Sequence, residues 1–284
     1  MSIVYLNGKF IPLKQAKVSV LDRGFLFCDG IYEVITIYNG KLFRLKEHLK
    51  RLKQSLKAIQ LSIHMNQKEW ESIFNTLLIK NKIGKKNKSL YLQITRGKQN
   101  SREYGIPAEC LKPTVFVMLK SLKQPNYQKI EKGFKLITHE DLRWKLPSIK
   151  SISLLPNILL SHKAKAKHAE ETILIRNGYI LEGTNSNIFI VKNNKIITPP
   201  VSLEMLSGIT RELVLEIAKK YRIPLHEKKF TLKELYNADE VWITSSSRDI
   251  MPIGQVDQHR IGDGKPGPLW KKMSDYFQTY KSSL

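Results

Sequence analysis

The chain has 284 residues, 42% of them hydrophobic and 26% charged, which is enough to bury a real core in one large domain or two modest ones. The N-terminus has no basic start followed by an apolar run, and about 18 consecutive apolar residues occur nowhere, so we expect a cytoplasmic protein with no membrane partner. The net charge of +23 attracts anions, but lysines spread along the whole chain favour small anionic ligands such as phosphates over specific recognition of nucleic acid.

The cysteines and histidines argue against disulfide and metal chemistry. Cys28 and Cys110 are too few for a disulfide framework, and neither stands in a C-x-x-C spacing, so both are expected to be free thiols. The seven histidines form no H-E-x-x-H motif or dense cluster. We therefore expect no metal ion in this protein.

The first part of the chain, residues 1–120, is predicted to be a small domain of strands and helices. Asn7-Gly8 is a turn pair favoured in tight hairpins, and a strand of β-branched and aromatic residues ends at Asn39-Gly40. Beyond it, leucines spaced by four and three mark one apolar face of a helix. The predicted elements are strands at 2–7, 9–11 and 31–38, helices from 46 and at 67–81, and strands at 89–95 and 114–120.

A short polar segment with a proline, residues 121–127, is the candidate linker between two domains. The domain beyond it, 128–284, is predicted to be rich in strands. The predicted elements are strands at 134–138, 172–176, 188–191 and 240–244, and helices from Pro156, Thr210 and Thr231 and at the C-terminus. This order of elements indicates the α+β or mixed α/β class.

Three features of the sequence could bind an anion, although each has an ordinary structural explanation. Leu206–Arg211 leads into a strong helix with Thr210 near its N-cap, and the free backbone N–H groups of such a helix start would suit a phosphate, whereas plain capping explains the same pattern. Ser246 lies in a run of hydroxyl residues after a strand, as in many polar loops. Arg51 stands beside the buried stripe of the first long helix, where its guanidinium could form two hydrogen bonds to a phosphate or be solvated.

Glu182 and Lys150 are the candidates for a chemical role. Glu182 precedes a glycine and a small polar turn where a strand pair ends, a position that is usually occupied by a surface carboxylate. Lys150 is the single lysine in a stretch of alternating apolar and small polar residues, 148–155. Because the chain holds 48 Lys and Arg residues, a solvated surface lysine is the commoner case. Only the residues around Lys150 can distinguish it from such a lysine.

Six motifs stand in the order and spacing of one enzyme family. They are Asp22–Gly24, Asp29–Val34, Glu47–Leu52, Arg143-Trp144 with Ile149–Ser151, Glu182–Asn187, and Gly208–Arg211. Together they resemble the fold type IV pyridoxal-phosphate enzymes, with the closest similarity to D-amino acid (D-alanine) aminotransferases. The resemblance extends over nearly the whole chain and implies a two-domain mixed α/β fold, an active site in the interdomain cleft, and pyridoxal 5′-phosphate as cofactor.

The resemblance implies a role for each candidate residue. Lys150 would hold the cofactor covalently and carry a proton to and from the α-carbon of the substrate. Glu182 would pair with the pyridine nitrogen and keep it protonated, so that the ring withdraws electrons. The phosphate would be bound by a set of N–H and O–H donors: Arg51, Ile209, Thr210 and Ser246.

The substrate carboxylate would be bound by Tyr32, Arg102 and a third residue two places further on. That residue is a histidine in the D-amino acid enzymes and is Tyr104 here, which can donate through its hydroxyl but brings no positive charge. The loop before Arg102 is also one residue longer than the family pattern, so a strict preference for D-alanine is not implied. The family further implies a homodimer in which Arg102 and Tyr104 reach the partner's active site.

The predicted activity is transfer of the amino group of a D-amino acid, such as D-alanine, to a 2-oxo acid. Two other activities share the same scaffold: that of the L-branched-chain aminotransferases, and that of 4-amino-4-deoxychorismate lyase, which eliminates pyruvate. A basic nucleic-acid-binding protein is a more distant alternative, and it rests on the net charge alone.

Overall fold

The computed structural model describes residues 2–107, 111–122 and 130–284, and the chain divides into two compact units. The first unit comprises 1–122, 149–153 and Leu284, and the second comprises 123–148 and 154–283. The segment with Lys150 therefore packs within the first unit, although it follows the predicted linker in sequence. Cys110 and residues 123–127 of that linker lie outside the described residues.

The first unit is built on a six-stranded sheet. Its strands are β1 (Ile3–Leu6), β2 (Lys9–Pro12), β3 (Gly30–Tyr38), β4 (Lys41–Leu42), β5 (Lys88–Thr95) and β6 (Thr114–Ser121). They lie in the order β2-β1-β6-β5-β3-β4, and each pairs with its neighbours in the antiparallel sense. Asn7 and Asn39 have φ values of 48° and 50° in the two predicted turns, a conformation that asparagine adopts more readily than most residues.

The helices described in this unit are α1 (Arg23–Phe27), α2 (Leu45–Ala58) and α3 (Gln67–Lys80), with a 3-10 turn at Leu13–Gln15. The predicted apolar stripes of α2 and α3 are buried, because residues three and four apart share one face of a helix. The core contains residues of both helices and of the sheet: Leu52, Leu56, Trp70, Phe74, Leu77, Ile35, Leu90 and Leu92. Three polar residues of α2, His48, Arg51 and Ser55, are buried as well.

Residues 149–153 pair with the start of β3. The N–H of Tyr32 donates to the carbonyl of Lys150 over 3.0 Å, and the N–H of Ile152 donates to the carbonyl of Gly30 over 3.1 Å. Gly30 permits this close approach, since a Cβ there would lie 2.6 Å from the carbonyl oxygen of Ile94 and 3.1 Å from the Ile152 side chain. Main-chain bonds thus fix Lys150 beside Tyr32.

The second unit is built on a mixed sheet of nine strands. They are β7 (Phe134–Glu140), β8 (Glu171–Arg176), β9 (Tyr179–Gly183), β10 (Asn187–Lys192), β11 (Lys195–Thr198), β12 (Leu225–Glu227), β13 (Glu240–Ser245), β14 (Asp249–Val256) and β15 (His259–Arg260). Eight of them follow the order β12-β11-β10-β13-β14-β7-β8-β9, and β15 pairs with β14. β7 is parallel to both of its neighbours, and β11 is parallel to β12.

The helices described in the second unit are α4 (Leu155–Ala166), α5 (Ile209–Lys220), α6 (Leu232–Tyr236) and α7 (Pro268–Ser282). The predicted capping box at the start of α6 is confirmed, with Thr231 and Glu234 bonded to each other's backbone N–H groups. The core of this unit lies between the sheet and the helices and includes Phe134, Ile173, Ile188, Phe230, Leu235, Val241 and Ile253.

The strands and helices predicted from periodicity are confirmed, and their boundaries move by one or two residues. The sequence contains no clear signal for β14, because Pro252 and Gly254 interrupt its run of apolar residues, and both are uncommon inside strands. The prediction of a helix from Thr210 is corrected by one residue: α5 begins at Ile209, and Gly208 is its N-cap. None of the described helices is long and apolar enough to cross a membrane.

Glu240 holds the start of α7. Its buried carboxylate accepts from the backbone N–H groups of Leu269 at 2.8 Å and Trp270 at 2.7 Å, and from the indole N–H of Trp242 at 2.9 Å. The first N–H groups of a helix have no partner inside the helix, so an alanine at this position leaves buried donors unpaired. We expect Glu240→Ala to lower stability by about 1–3 kcal/mol in urea unfolding. The exposed Glu170→Ala is the control, and an equal midpoint for both variants would contradict this role.

Candidate active site

Lys150 and Tyr32 are in direct contact in the first unit. The Lys150 Nζ lies 4.3 Å from the centroid of the Tyr32 ring, and the same ring lies 5.8 Å from that of Tyr91. The backbone N–H of Lys150 donates to the Ser55 hydroxyl on α2 over 3.3 Å. Lys150 is half-buried, so its amine is both ordered by its neighbours and accessible. The predicted catalytic lysine and one predicted substrate-binding residue are therefore adjacent.

Arg51 is oriented by a carboxylate that the sequence motifs did not single out. Its Nε and Nη2 donate to the two oxygens of Glu33, each over 2.8 Å, and the Nδ1 of His48 lies 2.8 Å from Glu33 Oε2. Burial would raise the pKa of Glu33, but Arg51 and His48 outweigh it and hold that pKa well below its usual value. The sequence contains a signal for this cluster, since Glu33 interrupts an apolar strand and His48 and Arg51 are three apart on a helix. The phosphate role of Arg51 stays a prediction.

Arg102 and Tyr104 lie together on an exposed loop of the first unit. The guanidinium carbon of Arg102 lies 5.4 Å from the Phe27 ring centroid and 5.6 Å from that of Tyr104. Arg23, which is buried, donates to the carbonyl oxygens of Glu103 at 2.7 Å and Tyr104 at 3.0 Å and so anchors the loop. Among the described residues, neither Arg102 nor Tyr104 forms a hydrogen bond, ion pair or ring contact with Tyr32.

Glu182 is a buried carboxylate of the second unit, so its interpretation as a surface carboxylate is wrong. Its Oε1 accepts from Arg143 Nη1 over 2.6 Å, and both of its oxygens lie 3.2 Å from the backbone nitrogen of Leu206. The side-chain amide of Asn187 donates to Oε2 over 3.2 Å. Burial raises the pKa of Glu182 to about 7, while the positive charge of Arg143 acts in the opposite direction.

Asn187 connects Glu182 to the start of α5. Its amide also donates to the carbonyl of Leu206 over 2.9 Å, two residues before the N-cap Gly208. Ile209 and Thr210 form the first turn of α5 and are each 3% exposed. A helix start carries free N–H groups and a partial positive charge, which suits an anionic ligand. Hydrogen bonds through Asn187 and Leu206 therefore connect Glu182 to the segment that leads into α5, which begins with Ile209 and Thr210.

Gly208 is required by the packing of Asn187. A Cβ at this position would lie 2.0 Å from Asn187 Oδ1, a separation that atoms do not tolerate. We expect Gly208→Ala to displace either Asn187 or the start of α5 and to weaken retention of an anionic cofactor about tenfold, the effect of losing one hydrogen bond to a charged group. Dialysis followed by absorption spectroscopy measures this. Gly105→Ala, where a Cβ meets no atom within 4 Å, is the control, and equal retention in the two variants would contradict the prediction.

Ser246 lies in the turn between β13 and β14 and is half-buried. Two buried hydroxyls have no hydrogen-bond partner among the described residues: that of Thr244 on β13 and that of Ser186 in the turn before β10. Thr244 stands directly opposite Asn187 in the β10–β13 ladder, so both side chains lie on one face of the sheet. Buried hydroxyls are normally paired, and a polar ligand beside Asn187 would satisfy that of Thr244.

A buried carboxylate holds the turn that follows Glu182. Glu171 accepts from the Thr184 hydroxyl over 3.2 Å and from the backbone N–H of Asn185, and it pairs with Arg248. Arg248 in turn donates to the Ser245 hydroxyl over 3.3 Å, at the start of the turn that contains Ser246. These bonds tie the Glu182 turn to the Ser246 turn. The sequence alone does not reveal them, because Glu171 and Arg248 are 77 residues apart.

Comparison with known proteins agrees with the motifs. The sequence profile of the family described as amino-transferase class IV matches residues 30–256. The D-alanine aminotransferase of Staphylococcus epidermidis is 38% identical over 283 residues, which cover 100% of this chain and 99% of that protein. The D-alanine aminotransferase of Bacillus licheniformis is 39% identical over 276 residues, which cover 97% of this chain and 95% of that protein.

Two solved structures with the same fold are branched-chain amino acid aminotransferases. The enzyme of Thermoproteus uzoniensis with norvaline superposes with a TM-score of 0.87 at 27% identity, covering 99% of this chain and 94% of that chain. The enzyme of Escherichia coli has a TM-score of 0.91 at 24% identity, covering 98% of this chain and 94% of that chain, and it shows the fold alone. Since the family profile spans most of the sequence and the relatives align from end to end, this chain belongs to the class IV aminotransferase family.

Proposed function

We propose that this protein is a pyridoxal-phosphate-dependent aminotransferase that moves the amino group of a D-amino acid, such as D-alanine, to a 2-oxo acid. The observation that carries the proposal is the end-to-end similarity to D-alanine aminotransferases, at 38% identity for the Staphylococcus epidermidis enzyme. The contact of Lys150 with Tyr32 supports it, because it sets an accessible primary amine beside a phenol that can donate to a substrate carboxylate.

The described residues fit the proposed cofactor. A phosphate needs N–H and O–H donors, which the start of α5 and the turn with Ser246 contain, and the buried Thr244 hydroxyl has no partner among the described residues and could donate to a polar ligand. When bound, pyridoxal phosphate supplies a ring that withdraws electrons from the α-carbon of an amino acid. We assign the phosphate to Arg51, Ile209, Thr210 and Ser246, and the ring nitrogen to Glu182.

The protein's own residues would then do the remaining work. Lys150 would bind the cofactor and afterwards move a proton at the substrate α-carbon, a role open to an amine that is held but not enclosed. The ionised carboxylate of Glu182 would hold a proton on the ring nitrogen. Tyr32 would orient the substrate carboxylate, and Arg102 with Tyr104 would complete that recognition.

Arg102 and Tyr104 act across a dimer interface in this proposal, each serving the partner's site. The support is an apolar surface on the first unit near their loop. Val18, Val20, Phe25, Tyr104 and Ile106 are between 52% and 75% exposed, which is typical of surfaces that another protein chain covers. Light scattering during dilution tests this. A chain that remains fully active as a monomer would contradict it.

One alternative has its own support, since the superposed structure from Thermoproteus uzoniensis, at 27% identity, is a branched-chain aminotransferase. A panel of D- and L-amino acids with pyruvate and 2-oxoglutarate separates the two activities. The 2-oxo acid that forms has the carbon skeleton of the amino acid that donated its amino group, and so identifies the donor. We expect transfer from D-alanine and little from L-leucine. The reverse pattern would assign the branched-chain activity, and pyruvate release with 4-aminobenzoate from aminodeoxychorismate would assign the lyase activity.

A further inference from the structure

Arg143 stands between two buried carboxylates of the second unit. Its Nε and Nη2 donate to the two oxygens of Asp141 over 2.9 and 3.0 Å, and its backbone N–H donates to Asp141 Oδ1 over 3.0 Å. The remaining terminal nitrogen, Nη1, donates to Glu182 Oε1 over 2.6 Å. A guanidinium is planar, so the hydrogen bonds that Asp141 makes to Nε and Nη2 also fix the direction of Nη1. Asp141 therefore aims Arg143 at Glu182.

Asp141 is itself held from the other side. Arg176 Nη2 donates to Asp141 Oδ2 over 2.8 Å and to the carbonyl oxygens of Arg143 and Trp144 over 3.3 and 3.2 Å. The Asp141 side chain has no exposed surface, and those of Arg143 and Arg176 are 8% and 14% exposed. The charges alternate along the chain of contacts from Arg176 through Asp141 and Arg143 to Glu182. The other end of Arg176 reaches the surface, where Nη1 donates to Glu204 over 3.2 Å.

We infer that Arg143 is a positioning residue that favours the ionised form of the Glu182 carboxylate and fixes its direction, so that it can pair with a cationic ring nitrogen, while Asp141 and Arg176 set the orientation of Arg143. The identity of that ring rests on the proposed function, whereas the effect of Arg143 on Glu182 is a property of the protein without cofactor. Arg143 is not among the residues assigned to the cofactor or the substrate. Its guanidinium acts through Glu182 and is not placed against the reacting atoms.

The electrostatics support this role. Burial alone disfavours a charged carboxylate and raises the pKa of Glu182, and Arg143 is the largest influence that lowers it, followed by the backbone N–H of Leu206. Asp141 acts in the raising direction from behind Arg143. Burial would lower the pKa of Arg143, but Asp141 and Glu182 outweigh it, so the guanidinium stays charged at every pH of interest. Removal of Arg143 therefore leaves a buried carboxylate with no cation beside it.

The test follows the Glu182 carboxyl in cofactor-free protein by infrared spectroscopy of ¹³C-glutamate-labelled samples, and Glu182→Gln identifies its band. The wild-type carboxyl is expected to lose its proton near pH 7. In Arg143→Gln we expect that midpoint to rise by about 1–3 pH units, the size of the shift that a neighbouring charge produces. Arg143→Lys keeps a charge but loses the bidentate hydrogen bonds to Asp141, and it should give a smaller rise in the Glu182 midpoint. Arg222→Gln removes an exposed arginine of the same unit and should leave the midpoint unchanged.

A second readout uses the loaded protein. Arg143→Gln should shift the acidic limb of the kcat profile to higher pH in parallel with the infrared midpoint, while KM for the amino donor changes little. Unchanged midpoints in both Arg143→Gln and Arg143→Lys would overturn the inference. If Arg143→Gln does not fold, Arg143→Lys decides alone. A protein that aminates no oxo acid yet shows the infrared shift would refute the proposed function and leave this inference standing. A protein that aminates an oxo acid but shows no infrared shift would support the proposed function and refute this inference.

Discussion

Lys150→Ala is expected to lower kcat by at least about 10³-fold, because it removes both the amine that binds the cofactor and the base that moves the α-proton. The fold should survive. The contacts that hold residue 150 are main-chain bonds, from Tyr32 to its carbonyl and from its N–H to Ser55, and alanine keeps all of them. The loss should therefore be confined to the chemistry and leave circular dichroism and the unfolding midpoint close to those of the wild type.

The control for this variant is Lys145→Ala, which removes an exposed lysine five residues earlier. Borohydride reduction of the loaded protein, followed by peptide mass mapping, should locate the cofactor on the Lys150 peptide in the wild type and in the control. Methylamine added to Lys150→Ala should restore part of the rate, since a free amine can replace a missing general base. If Lys150→Ala retained its rate and its covalent cofactor, another lysine would be the catalytic one.

Glu182→Gln is the second variant with a large expected effect, a fall in kcat of about 10²–10³-fold, the usual loss when one preorganised electrostatic partner is removed. Glutamine has the same shape but cannot carry the negative charge that keeps a ring nitrogen protonated. It also leaves Arg143 with one buried carboxylate instead of two. KM for D-alanine should change little, because Glu182 does not contact the substrate in this account. Glu182→Asp, which keeps the charge on a shorter side chain, should have a kcat between those of the wild type and Glu182→Gln.

The stability of the cofactor-free protein gives an independent check on Glu182. Burial raises the pKa of this group from 4.5 to about 7, so the folded chain holds the proton more tightly than the unfolded chain does. Stability contributed by this group is therefore present below about pH 4.5 and is lost as the pH rises towards 7. Glu182→Gln should remove this slope from the urea unfolding midpoints. A slope of equal size in both proteins would mean that Glu182 is not the group that titrates.

Much of the fold could be predicted from local pattern. The leucine spacing of α2, the turns at Asn7 and Asn39 and the capping box of α6 all depend on residues close together in sequence, where helix and turn geometry fix which side chains meet. β14 is not predicted from local pattern, because it is defined by its pairing with β13 on one side and β7 on the other. Such long-range pairing can place Pro252 and Gly254 in a strand against their local preference.

The candidate site was predictable as a set of residues but not as a set of interactions. The motifs contain Glu182 and Arg51 and also Arg143 and Glu33, which orient them, yet the contacts between these side chains, and the part that Asp141 plays in them, are recognised only in three dimensions. A carboxylate in isolation is most often exposed, and the network around Glu182 is what makes its burial tolerable. The segment with Lys150 is a similar case, since its place beside β3 depends on backbone bonds to Gly30 and Tyr32 that no local pattern encodes.

The most direct test of the central claim is a half-reaction without an acceptor. Purified protein is loaded with pyridoxal phosphate, mixed with a single amino acid, and followed by the absorption of the bound cofactor. We predict that D-alanine converts the bound cofactor to its amine form with release of pyruvate, that L-leucine leaves the absorption unchanged, and that Lys150→Ala responds to neither. Conversion by L-leucine but not by D-alanine, or a protein that takes up no cofactor, would contradict the account.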